Sequence, residues 1–307
     1  MRSVRLLLGL WICVLTAAAQ DFGTHWIAAP QADSTAQVWF RQTYLTDRCP
    51  AQATVTVASA GNFELYVNQW NVSTDVLAPF RAPEDTCIKA VTYDVTRFLR
   101  PDSNVIAVWY APASIRPVRR QISVTYSGTM PNGTRFSHVS DPGWLCRPAN
   151  RVITPEGSER VDGREHDPSW NAIPIEAASW RPVLAVRDTV STGYREVSSF
   201  YPAMRVTRLH RPSVVDTRAD SVIYEFPEAF TGWVRVTLRN TRKGQRIRIG
   251  DLEYICNGKL DEQACRKFTL AHCRRVTITG DARFSPSQLF NVEGVEIRPS
   301  YHHSYQY

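Results

Sequence analysis

The chain has 307 residues, 43% of them hydrophobic and 21% charged, enough for one or two ordinary domains with sizeable cores. Its formal net charge of +7 comes almost wholly from arginine, with lysine only at Lys89, Lys243, Lys259 and Lys267. These cations are spread over every segment rather than interleaved with stacking aromatics, which argues against a nucleic-acid groove; a basic surface can attract acidic glycans or envelope phosphates, but an ordinary solvated, arginine-rich surface is the expected reading.

Residues 1–19 carry Arg2 and Arg5, an apolar run over 6–15 and then Thr16-Ala17-Ala18-Ala19, the pattern of a secretory signal peptide. Export to the periplasm, cell surface or medium is expected, with the mature chain starting near Gln20. Trp11 and Ile12 stand before Cys13 where a lipidation site needs small residues. No later stretch offers about 20 consecutive apolar residues, so no transmembrane segment is expected. After cleavage the cysteines are Cys49, Cys87, Cys146, Cys256, Cys265 and Cys273, an even set that favours disulfides in an exported protein. Cys256 with Cys265 would staple the intervening loop, and Cys49 with Cys87 is the next candidate pair. Zinc ligand spacing is missing, and no metal site is expected. Calcium would suit loop carboxylates, yet no loop shows its ligand spacing.

The first body reads as strands through Trp26-Ile27, residues 38–44, 54–60, 62–68, 91–95, 104–110 and 121–126, with period-2 alternation of β-branched and aromatic residues. Thr96-Arg97-Phe98-Leu99-Arg100 fits a single helical turn, and Pro101 stops it. In these alternating strands Trp39 and Trp109 should be core. A section rich in Pro, Gly, Asp and Arg follows over 130–194. The second body begins near Ala203 and reads as strands over 221–226, 232–239, 245–250, 268–273, 275–279 and 292–298. Residues 240–244 are expected to close a hairpin, with Gly244 at positive φ. His302 and His303 belong to a frayed tail. Asn71-Val72-Ser73 and Asn132-Gly133-Thr134 match the glycosylation pattern and suggest exposed turns. The whole is all-β, two jelly-roll-like β-sandwich domains over 20–200 and 201–307.

Two stretches resemble a known family in its own order. Thr54-Val55-Thr56-Val57-Ala58-Ser59-Ala60, Gly61-Asn62-Phe63-Glu64-Leu65-Tyr66-Val67-Asn68, Leu77-Ala78-Pro79, Tyr93-Asp94-Val95-Thr96 and Asn104-Val105-Ile106-Ala107-Val108 resemble the N-terminal domain of bacterial α-L-rhamnosidases. Tyr224-Glu225-Phe226, then Phe230-Thr231-Gly232-Trp233-Val234-Arg235-Val236 and Ile247-Arg248-Ile249-Gly250-Asp251, look like the next sandwich of the same enzymes. The resemblance implies a catalytic helical barrel after these sandwiches. Twelve helices of about 11 residues with connections of about 5 would need on the order of 190 residues, so the barrel is expected to be absent here. No catalytic residue is carried over. Gly163-Arg164-Glu165-His166-Asp167 keeps the glycine and aspartate of a family loop signature but displaces the glutamate and has His166 for its tyrosine.

The acidic run Asp162, Glu165, His166 and Asp167 is the one constellation that suggests glycosidase chemistry, which needs one protonated and one ionised carboxyl. Nothing local separates their pKa values, so they are read as sugar-holding loop residues instead. Asp251 and Glu253 follow the 245–250 strand where the family often carries Gly-Glu and could face sugar hydroxyls, but exposed loop carboxylates are the expected reading of both. For stacking on a sugar ring, Trp70 and Trp144 in turn-rich segments are the leading candidates, ahead of Trp170, and Trp233 is expected to pack internally. A serine nucleophile is unsupported, because no G-x-S-x-G elbow occurs. The expected function is an exported accessory protein that holds rhamnose-containing glycan, without activity of its own. The rival readings are one part of a split α-L-rhamnosidase, working with a glycoside hydrolase partner, and an envelope scaffold that binds protein.

Overall fold

The computed structural model describes residues 25–30, 35–59, 61–80, 88–112, 121–173, 177–186 and 203–300. The expected all-β architecture is what forms. Apart from single 3-10 turns, every regular element described is a strand. One of those turns is Thr96–Phe98, the helical turn that precedes Pro101. Among the described residues no helix is long and apolar enough to cross a membrane.

In the first body a six-stranded sheet runs in the order Leu184–Val186, Trp26–Ala28, Gln121–Thr129, Gln52–Ser59, Lys89–Asp94, with Arg135–Val139 also paired to Gln121–Thr129. It packs on Asn62–Val67, Ser103–Ala111, Ala36–Leu45 and Leu145–Ile153 of a second, fifteen-stranded sheet. The core between them holds Phe40, Val55, Val57, Phe63, Leu65, Val108, Tyr110 and Val124. The central strands of the larger sheet are buried on both faces. Phe40 and Val108 point into this core, whereas their neighbours Trp39 and Trp109 belong to another on the opposite face, with Trp170, Trp180 and Phe268. This explains why Ser103–Ala111 is buried almost throughout instead of alternating.

In the second body Ser221–Arg239 is a 19-residue strand that is irregular around Pro227 and changes partners at Gly232. Its first part pairs with Val214–Thr217 and Ala271–Gly280, its last with Asp261–Ala264 and Leu289–Ser300, and the register shifts between Glu225 and Phe230. The strand thereby serves both layers around a core of Val222, Phe226, Val236, Leu238, Ile247, Leu252 and Ile278. Gly232 is required by close approach, since a Cβ there would lie 1.9 Å from the Val295 carbonyl oxygen. Gly244 has φ +78, as expected. The expected hairpin over 240–244 does not form, however. Arg246–Ile249 pairs with Leu252–Ile255 and Ala271–Gly280, so the loop carries the chain from one layer to the other.

The two bodies share a sheet. Glu159–Asp162 pairs antiparallel with Leu145–Ile153 on one side and parallel with Leu252–Ile255 on the other. Glu159, fully buried, clamps this junction. Its Oε1 accepts hydrogen bonds from the backbone N–H groups of Lys267 (2.8 Å), Phe268 (2.7 Å) and Thr269 (3.0 Å), and its Oε2 accepts from Arg151 at 2.9 Å.

Candidate functional site

At the junction, strand alternation sends Val161, Ile247, Ile249, Leu252 and Tyr254 into the second core and turns their neighbours outward. The outward residues fall into cross-strand rows. Arg160, Glu253, Arg248 and Thr279 are successive register partners across four strands, and Asp162, Ile255 and Arg246 form the next row. Together with Gly280 and Asp281 most of these residues line an open cleft of about 610 Å³.

Glu253 stands between Arg160 and Arg248 in the first row. Its Oε2 accepts from Arg160 Nε at 2.9 Å and its Oε1 from Arg248 Nη2 at 2.7 Å. The hydrogen bonds from Arg248 and then Arg160 hold its carboxyl below the usual glutamate range. Asp281 is likewise held low, chiefly by the Arg283 side chain at 2.6 Å, and it also accepts the Arg246 backbone N–H at 2.9 Å. Of the described carboxylates with a displaced pKa, each is displaced downward, by arginine, histidine, hydroxyl or N–H partners. The cleft thus presents fixed acceptors and donors suited to hydroxyl groups.

The residues singled out in the sequence do not assemble into one site. Asp162 continues the cleft's second row and caps a 3-10 turn, accepting from Arg164 N at 3.0 Å, Nε at 2.9 Å and Nη2 at 2.7 Å. Glu165 is exposed in the same turn. Asp167 is occupied elsewhere, with Arg147 Nη2 at 2.9 Å and with Ser169. Asp251 binds buried Arg266 beside a smaller cleft of about 310 Å³ that His272 and Arg275 also line. Trp70 is exposed at 64%, carried by a two-residue turn in which Asn68 and Gln69 have φ +50 and +76. Five strand steps separate it from Asp162, about 24 Å along the sheet.

Trp144 corrects the expectation of an exposed indole. The turn does form, closed by Asp141, but it leads directly into Leu145–Ile153, so Trp144 falls on the inward side with Cys146 and is fully buried in the first core. Trp170 is also covered, stacked on Trp39 with centroids 5.3 Å apart. Trp233 packs against Met204, Val295 and Ile297, as expected. Arg160, Arg246, Arg248 and Thr279 were not singled out in the sequence. The alternation Arg246-Ile247-Arg248-Ile249 was the available signal, since it places two guanidinium groups on one exposed face.

The Cys256–Cys265 bridge is not formed. Cys256 faces the second core, and Cys265 packs on the other side near Met204 and Trp233. Buried Glu262 ties the intervening loop instead, accepting from Asn257 N at 2.7 Å, Gly258 N at 2.9 Å and Thr241 Oγ1 at 2.5 Å. Cys49 is a free thiol, and its proposed partner Cys87 lies outside the described residues. Burial pushes the Cys256 thiol up to about 12 and those of Cys146 and Cys273 up to about 11. These three should resist alkylation in the native protein and react on unfolding, and non-reducing peptide mapping should find Cys256 and Cys265 unlinked. Among the described residues no three His, Cys, Asp or Glu side chains converge as metal ligands would.

A family model described as the α-L-rhamnosidase N-terminal domain matches residues 48–205. An α-L-rhamnosidase of Alteromonas sp. (strain LOR) is 22% identical over 265 residues, covering 78% of this chain and 28% of that protein. The solved α-L-rhamnosidase of Dictyoglumus thermophilum superposes with a TM-score of 0.79 at 20% identity, over 92% of this chain and 36% of the other. That of Streptomyces avermitilis, solved in complex with L-rhamnose, gives 0.75 at 19% identity, over 87% and 29%. The chain spans 17% to 28% of the length of the curated relatives it matches.

Proposed function

Because this chain belongs to the α-L-rhamnosidase N-terminal domain family, we propose that it is an exported accessory protein that holds rhamnose-containing glycan without cleaving it, with the Glu253 cleft as the holding surface. The observation that supports this most directly is Glu253 fixed between Arg160 and Arg248, an acceptor flanked by donors on an open polar face. Sugar hydroxyls need both.

A shallow cleft buries little of a monosaccharide and must desolvate its hydroxyls, so affinity for free rhamnose should be weak and should rise with chain length. Calorimetric titration with rhamnose and rhamnose-rich oligosaccharides tests the proposal. Saturable heat should be reduced about tenfold in affinity by Glu253→Ala, as for loss of a charge-assisted hydrogen-bonding group. Heat that persists in Glu253→Ala but vanishes in Trp70→Ala would move the site to the exposed hairpin. No heat with any glycan would overturn the proposal.

A second reading draws on exposed Val206 and Leu209 of Ala203–His210 and exposed Val214 and Val215 of Val214–Thr217, two strands at the margin of the described sheet. Apolar edges of this kind suit a protein partner, such as a glycoside hydrolase chain. Hydrolysis of an aryl rhamnoside only when a separate catalytic chain is added would favour it.

A further inference from the structure

The carboxylates around the Glu253 cleft are already in use by other groups. Each Glu253 oxygen has one arginine partner, Arg160 or Arg248, and keeps a lone pair for a hydroxyl, while Asp162 is chelated by Arg164 and Asp281 is held by Arg283. Arg246 lies in the second row of the same cleft, opposite Ile255. Its backbone N–H reaches Asp281, but among the described residues its exposed guanidinium has no ion pair. Arg246 and Arg248 are two residues apart on one strand and face the same way, about 7 Å apart at their Cα atoms. Five guanidinium groups (Arg160, Arg164, Arg246, Arg248 and Arg283) thus meet three carboxylates (Asp162, Glu253 and Asp281), an excess of two on a face where like charges sit close together, and among the described residues Arg246 is the one of the five without an ion pair.

We propose that this cleft selects rhamnose-containing saccharides that carry an anionic group, with Arg246 as the residue that receives it. The inference rests on the cleft being the glycan-holding surface. An incoming anion would supply the missing counter-charge for Arg246 and lower the repulsion between Arg246 and Arg248. A carboxylate matches the planar guanidinium fork in two parallel hydrogen bonds, and a sulfate ester offers the same charge without that planar match. Thr279 sits beside Arg248 in register, where its hydroxyl can meet the uncharged part of the sugar, and Ile255 offers an apolar edge for ring C–H groups.

The test is calorimetry on the full chain with three ligands. They are a uronate-containing rhamno-oligosaccharide, the same oligosaccharide after carboxyl reduction, and a sulfated rhamnan oligosaccharide, each at low and high salt. The uronate ligand should bind about tenfold more tightly than its reduced form at low salt, with the advantage shrinking at high salt. Arg246→Gln should abolish that advantage, so that the variant binds the uronate ligand and its reduced form alike at low and high salt. Because Arg246 is exposed, the variant's unchanged melting temperature serves as the folding control. A sulfated ligand equal to the uronate would show that charge alone is read, and a weaker one that the planar carboxylate is read, both in keeping with Arg246 as receiver. Equal binding of acidic and reduced ligands would overturn selection while leaving the glycan-holding role intact. A preference that survives Arg246→Gln would place the anion elsewhere and overturn the assignment. Absence of binding by all three would bring down both proposals together.

Discussion

Replacing Glu159 with alanine should destabilise the protein by about 3–5 kcal/mol, the cost of removing one partner from a buried ion pair. The substitution would strand the Arg151 guanidinium, whose side chain is only 11% exposed, together with the N–H groups of Lys267, Phe268 and Thr269. The three N–H donors belong to the second body, and the carboxylate and Arg151 to the first. Chemical denaturation should therefore change from one transition to two as the junction loosens. Glu159→Gln keeps an acceptor but loses the charge, and should cost less, about 1–3 kcal/mol.

The same residue gives the protein an acid-sensitive joint. Burial alone would raise the Glu159 carboxyl, but the Arg151 charge and the N–H donors outweigh it and hold the folded-state value below the ordinary 4.5. A depressed folded-state pKa means the stabilisation is complete above the unfolded value and is lost as pH falls through the folded one. Unfolding free energy should thus decline on acidification below about 4.5, and Glu159→Gln should flatten that slope. An unchanged pH profile in the glutamine variant would remove Glu159 from this role.

Trp144→Ala should cost about 3–5 kcal/mol through the cavity left in the first core. Its indole is fully buried among the residues that join the two layers of the first sandwich. Saccharide affinity, measured well below the lowered melting temperature, should stay the same. A variant with native stability and lost binding would reverse the assignment and return Trp144 to the surface.

Much of the fold was legible in the residues. Alternating strands, the single turn at Thr96–Phe98, Gly244 at positive φ and the inward Trp39 and Trp109 all follow from local rules of period and backbone freedom. What local rules could not reach is pairing at a distance. The parallel contact between Glu159–Asp162 and Leu252–Ile255 joins strands some 90 residues apart, and no turn chemistry announces it. Trp144 was misplaced for a related reason, because a D-P-G-W turn looks solvated until the strand after it sets which side faces in. Of the cleft, Glu253 and Asp162 were visible as carboxylates. Arg160, Arg246 and Arg248 became a set only when the rows brought them together.

The shared sheet also bears on how such a unit can be inherited. Cutting the chain between residues 200 and 201 would separate Glu159–Asp162 from Leu252–Ile255 and leave each fragment with an open, hydrogen-bond-hungry margin. Either fragment made alone should tend to aggregate or recruit a foreign strand. Recombination that shuffles these sandwiches among larger enzymes would then favour transfer of the pair as one block, with the cleft travelling intact across the seam.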